Sequence, residues 1–180
     1  MNSDIPSLLT PIEVKLEDVL LDPNNPRFAE LGQGDETVPE SRFAEPKVQQ
    51  SAFDRMMNGR FDVAELRDTI KNLGFLPMDR IVVRRLKKPN SDKFLVVEGN
   101  RRITALKSLL DLHAAGKESL SDAKLTNITQ FQALLLNEDI SDDKIRWILP
   151  GLRHVSGIKE WGPYQKARAV FQLRESGMPV

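Results

Sequence analysis

Residues 94–110 constrain the fold of this chain more than any other segment. They open with a short apolar run, residues 94–97, whose branched side chains are typical of a buried strand. Gly99 interrupts the run, and apolar residues then recur at helical spacing from Ile103 onward. The segment therefore predicts a strand that passes through a tight turn directly into a helix.

Two arginines, Arg101 and Arg102, occupy the first turn of this predicted helix. Unpaired backbone N–H groups and the positive end of the helix dipole point toward the turn, and the guanidinium groups add permanent charge. The pattern predicts a site for an anion with several oxygens, such as a nucleotide polyphosphate. The alternative is that both arginines are solvated first-turn residues, although cations are unfavourable at a helix start.

Glu98, just before the glycine, is unexpected because a carboxylate beside a phosphate site repels the ligand. A bound Mg²⁺ reconciles the two, since carboxylates and phosphate oxygens share that ion readily. Glu98 is thus a candidate metal ligand and, if the protein is an enzyme, a candidate general base. The alternatives are an acid at a strand end or a residue that orients an arginine.

Composition excludes several classes of function. The 180 residues include no cysteine, so thiol nucleophiles, disulfides and thiolate metal sites are absent, and the two histidines form no ligand-spaced motif. The sequence lacks a membrane-spanning run and a signal-peptide pattern, so we expect a cytoplasmic protein. Net charge is zero, but residues 80–107 hold nine Lys or Arg against two acids, and residues 144–174 hold seven against one. These segments predict a basic surface, or alternatively solvated helix and hairpin faces.

Hydrophobic patterning predicts an α+β protein with a mixed sheet. The predicted elements, in chain order, are a strand at 12–19, a polar loop at 29–46, a helix at 47–58, a helix from Asp62 to Gly74, a hairpin of strands 81–86 and 94–97, the helix after Gly99, a linker at 116–127, and helices near 128–137, 141–149 and 163–173. Asp62 and Glu65 are spaced as a capping box. We therefore expect a small core over residues 1–115 and an all-helical extension over 116–180 that continues beyond this sequence.

Motifs in five places follow a characteristic order. They are Asn25-Pro26-Arg27, the helix ending at Gly74, the segment from Pro77, the run Gly99-Asn100-Arg101-Arg102-Ile103-Thr104-Ala105, and residues 153–167. This order resembles the ParB/sulfiredoxin superfamily, specifically the N-terminal domain of ParB-like proteins, whose Gly-Glu-Arg-Arg box binds a nucleoside triphosphate. The resemblance covers roughly residues 12–175 and implies insertions at 29–60 and 117–140. The resemblance implies nucleotide-binding roles for Gly99, Asn100, Arg101, Arg102, Arg27, Gly74 and Pro77, and for the third-box residues Arg153, His154, Lys159 and Lys166.

The resemblance further implies CTP or ATP with Mg²⁺ as ligand, and a helical region that leads toward a helix-turn-helix DNA-binding unit and a homodimer. Asn100 stands where the family usually has Glu, and His154 and Val155 stand near the position of the Glu-Asn pair that assists Mg²⁺. Three functions therefore stay open. They are a nucleotide-responsive DNA-binding protein in partition or in transcriptional or defence regulation, an ATP-dependent enzyme that uses Glu98 (an ATPase, nuclease or kinase), and an interaction module without a ligand.

Overall fold

The structure, a computed structural model, describes residues 9–31, 37–76, 81–87 and 91–136, without the side chains of 29–31. It contains five strands, β1 (Leu9–Lys15), β2 (Val19–Leu20), β3 (Val82–Arg85), β4 (Phe94–Glu98) and β5 (Gln130–Leu136), and four α-helices, α1 (Pro46–Met56), α2 (Val63–Leu73), α3 (Asn100–Ala114) and α4 (Asp122–Thr129). Among these residues, no helix combines the length and apolar character needed to cross a membrane.

The five strands form one mixed sheet in the order β1-β5-β3-β4-β2. β3 and β4 are antiparallel, which confirms the predicted hairpin, and β1 is antiparallel to β5. The pairs β2/β4 and β3/β5 are parallel. Because β2 and β4 run in the same direction, the chain segments that follow them leave the sheet at the same edge. This edge holds the candidate site.

Hydrophobic side chains cover both faces of the sheet, because successive strand residues point in opposite directions. Val96 of β4 belongs to the main core, which also receives buried residues from α1, α2 and α3. Its neighbour Leu95 belongs to a second cluster with Phe43, from the segment before α1. The predicted α+β class with a mixed sheet is confirmed, as is the strand–glycine–helix segment around Gly99.

The structure differs from several predictions in this part of the chain. The helix expected near 128–137 is a strand, β5, which lies between β1 and β3, and α4 occupies the expected linker. The sheet therefore extends past residue 115, and the region from 116 is not all-helical. The described part of the expected 29–46 loop packs against the sheet through Phe43, which is 4% exposed. Asp62 precedes α2 as predicted, but in a left-handed conformation (φ 51°) and without a side-chain bond to the helix.

Candidate functional site

The turn between β4 and α3 depends on Gly99. This residue has φ 107°, a conformation that side-chain-bearing residues rarely adopt. A Cβ placed there would lie 2.5 Å from Cδ1 of Ile81, which is fully buried. The first hydrogen bond within the helix runs from the Ile103 N–H to the Gly99 carbonyl. The N–H groups of residues 100–102 thus have no acceptor inside the helix, as at any helix N-terminus.

Asn100, the first residue of α3, is 4% exposed. Its Oδ1 accepts a hydrogen bond of 2.9 Å from the Asp22 N–H, in the turn that follows β2. Its Nδ2 has no hydrogen-bond partner within the described part of the chain. A buried amide donor without an acceptor costs on the order of 1–3 kcal/mol of stability. A ligand oxygen that accepts a hydrogen bond from Nδ2 would remove this cost.

Arg101 and Arg102 carry positive charge to the same helix start. Burial lowers the pKa of Arg101, and the negative charges of Asp62 and Glu65 oppose this effect. The guanidinium stays protonated at neutral pH, because the ordinary pKa of arginine exceeds 12. Its Nε is buried and has no hydrogen-bond partner among the described residues. Nη1 of Arg102 lies 3.6 Å from the position of a Cβ on Gly99, so this side chain folds back toward the turn.

Helices α2 and α3 run parallel, which brings their N-termini together. The contacts between them ascend along both chain segments together, from the N-terminal to the C-terminal ends. Asp62 lies near Arg101, Arg67 Nη1 approaches Ser108 Oγ at 3.5 Å, and Lys71 Nζ pairs with Glu118 Oε2 at 2.6 Å, just beyond the end of α3. Two helix dipoles therefore point their positive ends toward the same region.

Gly74 lies at the opposite end of this helix pair. A Cβ on Gly74 would be 3.5 Å from Oδ1 of Asn127, and the Asn127 side chain bonds the N–H and carbonyl of Phe75. The structure thus does not bring Gly74 to the start of α3. Gly74 instead ends α2 and packs against α4.

The turn after β2 is held against α3 by helix α1. Gln49 bonds both the N–H and the carbonyl of Leu21, at 2.8 and 3.0 Å, and also the Phe43 carbonyl. Arg55 stacks on the Phe28 ring at 4.2 Å, and its Nη1 donates to the Pro23 carbonyl at 3.4 Å. The structure therefore brings the Asn25-Pro26-Arg27 motif and the start of α3 to the same edge of the sheet. The position of the motif just after a strand suggested this placement. The backbone N–H of Arg27 donates to Asn25 Oδ1.

Sequence reasoning missed the role of α1 in this site. Arg55 and Gln49 are ordinary polar residues of an amphipathic helix, and no spacing rule singles them out. Yet the described side chains contain three buried N or O atoms without a hydrogen-bond partner, namely Arg55 Nε, Asn100 Nδ2 and Arg101 Nε. All three are donors around the turn at residues 22–23 and the start of α3. This set suits an acceptor-rich ligand.

Glu98 is the last residue of β4 and is 7% exposed, so its carboxylate is next to Gly99 but largely withdrawn from solvent. Within the described ranges, no group of three or more His, Cys, Asp or Glu residues is arranged to hold a metal ion. An Mg²⁺ ion at this site would therefore take most of its ligands from phosphate oxygens and water, as is usual for this ion. The remaining predicted site residues, Pro77, Arg153, His154, Lys159 and Lys166, lie outside the described residues.

No protein-family model and no curated protein matches the chain. Among solved structures, the chain is similar to the C-terminally truncated chromosome-partitioning protein ParB from Caulobacter crescentus, complexed with CTP-gamma-S, at 16% identity and a TM-score of 0.42. The match covers 93% of this chain and 64% of that one. At this level of similarity, the ligand must be inferred from the site itself.

Proposed function

We propose that this chain binds a nucleoside triphosphate by its phosphate chain at the start of α3. The observation that carries the proposal is the unpartnered amide of Asn100, a residue 4% exposed at the first position of a helix that follows a strand and a positive-φ glycine. The adjacent Arg101 adds a desolvated guanidinium with an unpartnered Nε. Phosphate oxygens can accept hydrogen bonds both from these side-chain donors and from backbone N–H groups in the first turn of α3.

The nucleotide in this proposal is CTP or ATP with Mg²⁺, on the strength of the sequence motifs. Arg102 and Arg27 are assigned to the phosphates with Arg101, and Glu98 to the ion. Residues 153–166 supply the cations that close over the ligand. Nucleotide binding then changes how the region after residue 136 meets DNA or a second copy of the chain, which is a ligand-biased equilibrium between two states. The basic segment at 144–174 is assigned to the DNA phosphates.

The test is thermal unfolding with CTP, ATP or GTP, each with and without Mg²⁺. A nucleotide at a hundred times its Kd stabilises the protein by about 2.7 kcal/mol, which appears as a clear rise in Tm. We expect this rise to be lost in Arg101→Ala and in the near-isosteric Asn100→Asp, which replaces the unpartnered donor with an acceptor. Arg42→Ala, at an exposed arginine before α1, is the matched control and keeps the rise. If no nucleotide raises the Tm, the proposal is wrong.

An enzymatic role is the second candidate, because Glu98 places a largely buried carboxylate directly before the proposed phosphate site, where it could act as a metal ligand or general base. Phosphate release is the appropriate assay. If the protein hydrolyses its nucleotide through Glu98, Glu98→Gln abolishes phosphate release while the nucleotide-dependent Tm rise persists. If the wild-type protein releases no phosphate under conditions where it binds nucleotide, the ATPase candidate is discarded and the binding proposal stands.

A further inference from the structure

Arg55 is the least expected member of the set of unpartnered donors. It lies on α1, in the segment 29–60 that the family resemblance implies is an insertion, and 45 residues before Asn100. Burial lowers the pKa of Arg55, and no charged neighbour in the described chain offsets that effect. Its Nε has no hydrogen-bond partner there, and the hydrogen bond from its Nη1 to the Pro23 carbonyl is long, at 3.4 Å. A partly buried guanidinium with so little compensation is unfavourable unless an anion is bound.

The position of Arg55 relative to α3 follows from the turn that both contact. The Asn100 side chain bonds the N–H of residue 22, and the Arg55 guanidinium approaches the carbonyl of residue 23. The nitrogen of residue 22 and the carbonyl of residue 23 belong to adjacent residues, and two fully extended residues span at most about 7 Å. The Asn100 amide and the Arg55 guanidinium therefore contact the same short stretch of backbone.

The surroundings of Arg55 hold it in this place. Its guanidinium stacks on the Phe28 ring, and that ring packs edge-on against Phe61, 6.3 Å between centroids. Phe61 directly precedes Asp62, which lies near Arg101. Gln49, on the same helix, fixes α1 to the turn through Leu21. A guanidinium held on an aromatic ring keeps its edge nitrogens available to an acceptor.

We infer that Arg55 is an additional phosphate-binding residue, supplied by the inserted helix α1 and directed at the same ligand as Asn100 and Arg101. This inference rests on the proposed function and deepens it, because it makes the insertion part of the binding site. The ligand chemistry that it selects is an extended polyphosphate, since donors from two separate helices must find oxygens of one molecule. Nucleoside monophosphates lack the additional oxygens, so loss of Arg55 affects them little.

The experiment compares Arg55→Met with Lys47→Met by isothermal titration calorimetry. Both variants remove one positive charge from α1 and introduce the same side chain, but Lys47 is exposed. Methionine also preserves apolar contact with Phe28. The probes are CTP, ATP and GTP with Mg²⁺, their monophosphates, and inorganic tripolyphosphate. For the triphosphate that the wild type binds, we expect the Kd to rise by about ten- to a hundredfold in Arg55→Met. In Lys47→Met we expect a change of less than about twofold.

Two further readouts separate binding from structure. The Tm of ligand-free Arg55→Met reports any loss of packing, and Arg55→Lys, which keeps the charge but not the planar fork, is expected to bind with intermediate affinity. If the wild type binds a triphosphate and both Arg55 variants bind it equally well, the inference is overturned and the proposed function stands. If the wild type binds none of the probes, the proposed function itself fails and the inference fails with it.

Discussion

Replacement of Gly99 by alanine should destabilise this protein more than alanine at any other described glycine. Two costs add there. The backbone has φ 107°, which costs a side-chain-bearing residue about 1–2 kcal/mol. The new Cβ also lies 2.5 Å from Cδ1 of the fully buried Ile81, and overpacking of this kind costs about 1–3 kcal/mol. We therefore expect a loss of roughly 2–5 kcal/mol in the free energy of unfolding.

Two other glycines separate these costs in urea denaturation followed by circular dichroism. Gly116 has φ 68° and open space around it, so Gly116→Ala carries the backbone cost alone, about 1–2 kcal/mol. Gly59 has neither a positive φ nor a close neighbour, so Gly59→Ala should range from no change to a gain of up to about 1 kcal/mol.

The collision itself is tested by Ile81→Val, which removes Cδ1. Alone, this change costs about 0.5–1.5 kcal/mol. In the Gly99→Ala background it relieves the contact, so its cost should fall by about 1 kcal/mol or more or change sign. The reasoning is refuted if the two substitutions are additive within about 0.5 kcal/mol, or if Gly99→Ala costs no more than Gly116→Ala.

Three other predictions concern the site and its support. Gln49→Ala removes two hydrogen bonds that join α1 to the turn after β2 and a third to the Phe43 carbonyl, so it should cost about 2–4 kcal/mol in urea denaturation, whereas the exposed neighbour Gln50→Ala should cost under about 0.5 kcal/mol. Asn100→Asp should weaken triphosphate binding at least about tenfold in calorimetry, because the buried donor becomes an acceptor beside phosphate, and an unchanged Kd would contradict this role. Burial alone would raise the pKa of Glu40, but bonds from Arg84 and a backbone N–H lower it overall. Glu40→Gln should therefore destabilise the protein by about 1–3 kcal/mol at pH 7, and the deficit should shrink as the pH falls below about 4, where the wild-type carboxylate loses its advantage.

The local pattern was sufficient to predict the centre of the fold. A branched apolar run, a glycine and a helical repeat specify β4, its turn and α3 without help from distant residues, and the same holds for α2 before Gly74. The hairpin of β3 and β4 could also be predicted from neighbouring residues alone. These elements also carry Gly99, Asn100 and Arg101, which is why part of the candidate site was predictable from the sequence.

The element at residues 130–136 shows where local pattern fails. Ile128, Phe131 and Leu134 are spaced three apart, which suggests a helix, although Phe131 and Ala133 also alternate with exposed glutamines as in a strand. Pairing with β1 and β3 decides between the two, and that pairing depends on residues more than 40 positions away. Arg55 was missed for a similar reason, because only tertiary packing brings α1 to the turn after β2.

The central claim, a polyphosphate site at the start of α3, is tested most directly by side-chain NMR. The Nε–H signals of Arg55 and Arg101 and the side-chain amide signal of Asn100 report the three unpartnered donors individually. Titration with the stabilising nucleoside triphosphate should shift all three, with the exposed Arg42 Nε–H unmoved as an internal control. If the protein binds the triphosphate while these three signals stay in place, the ligand lies elsewhere and the account of this site is wrong.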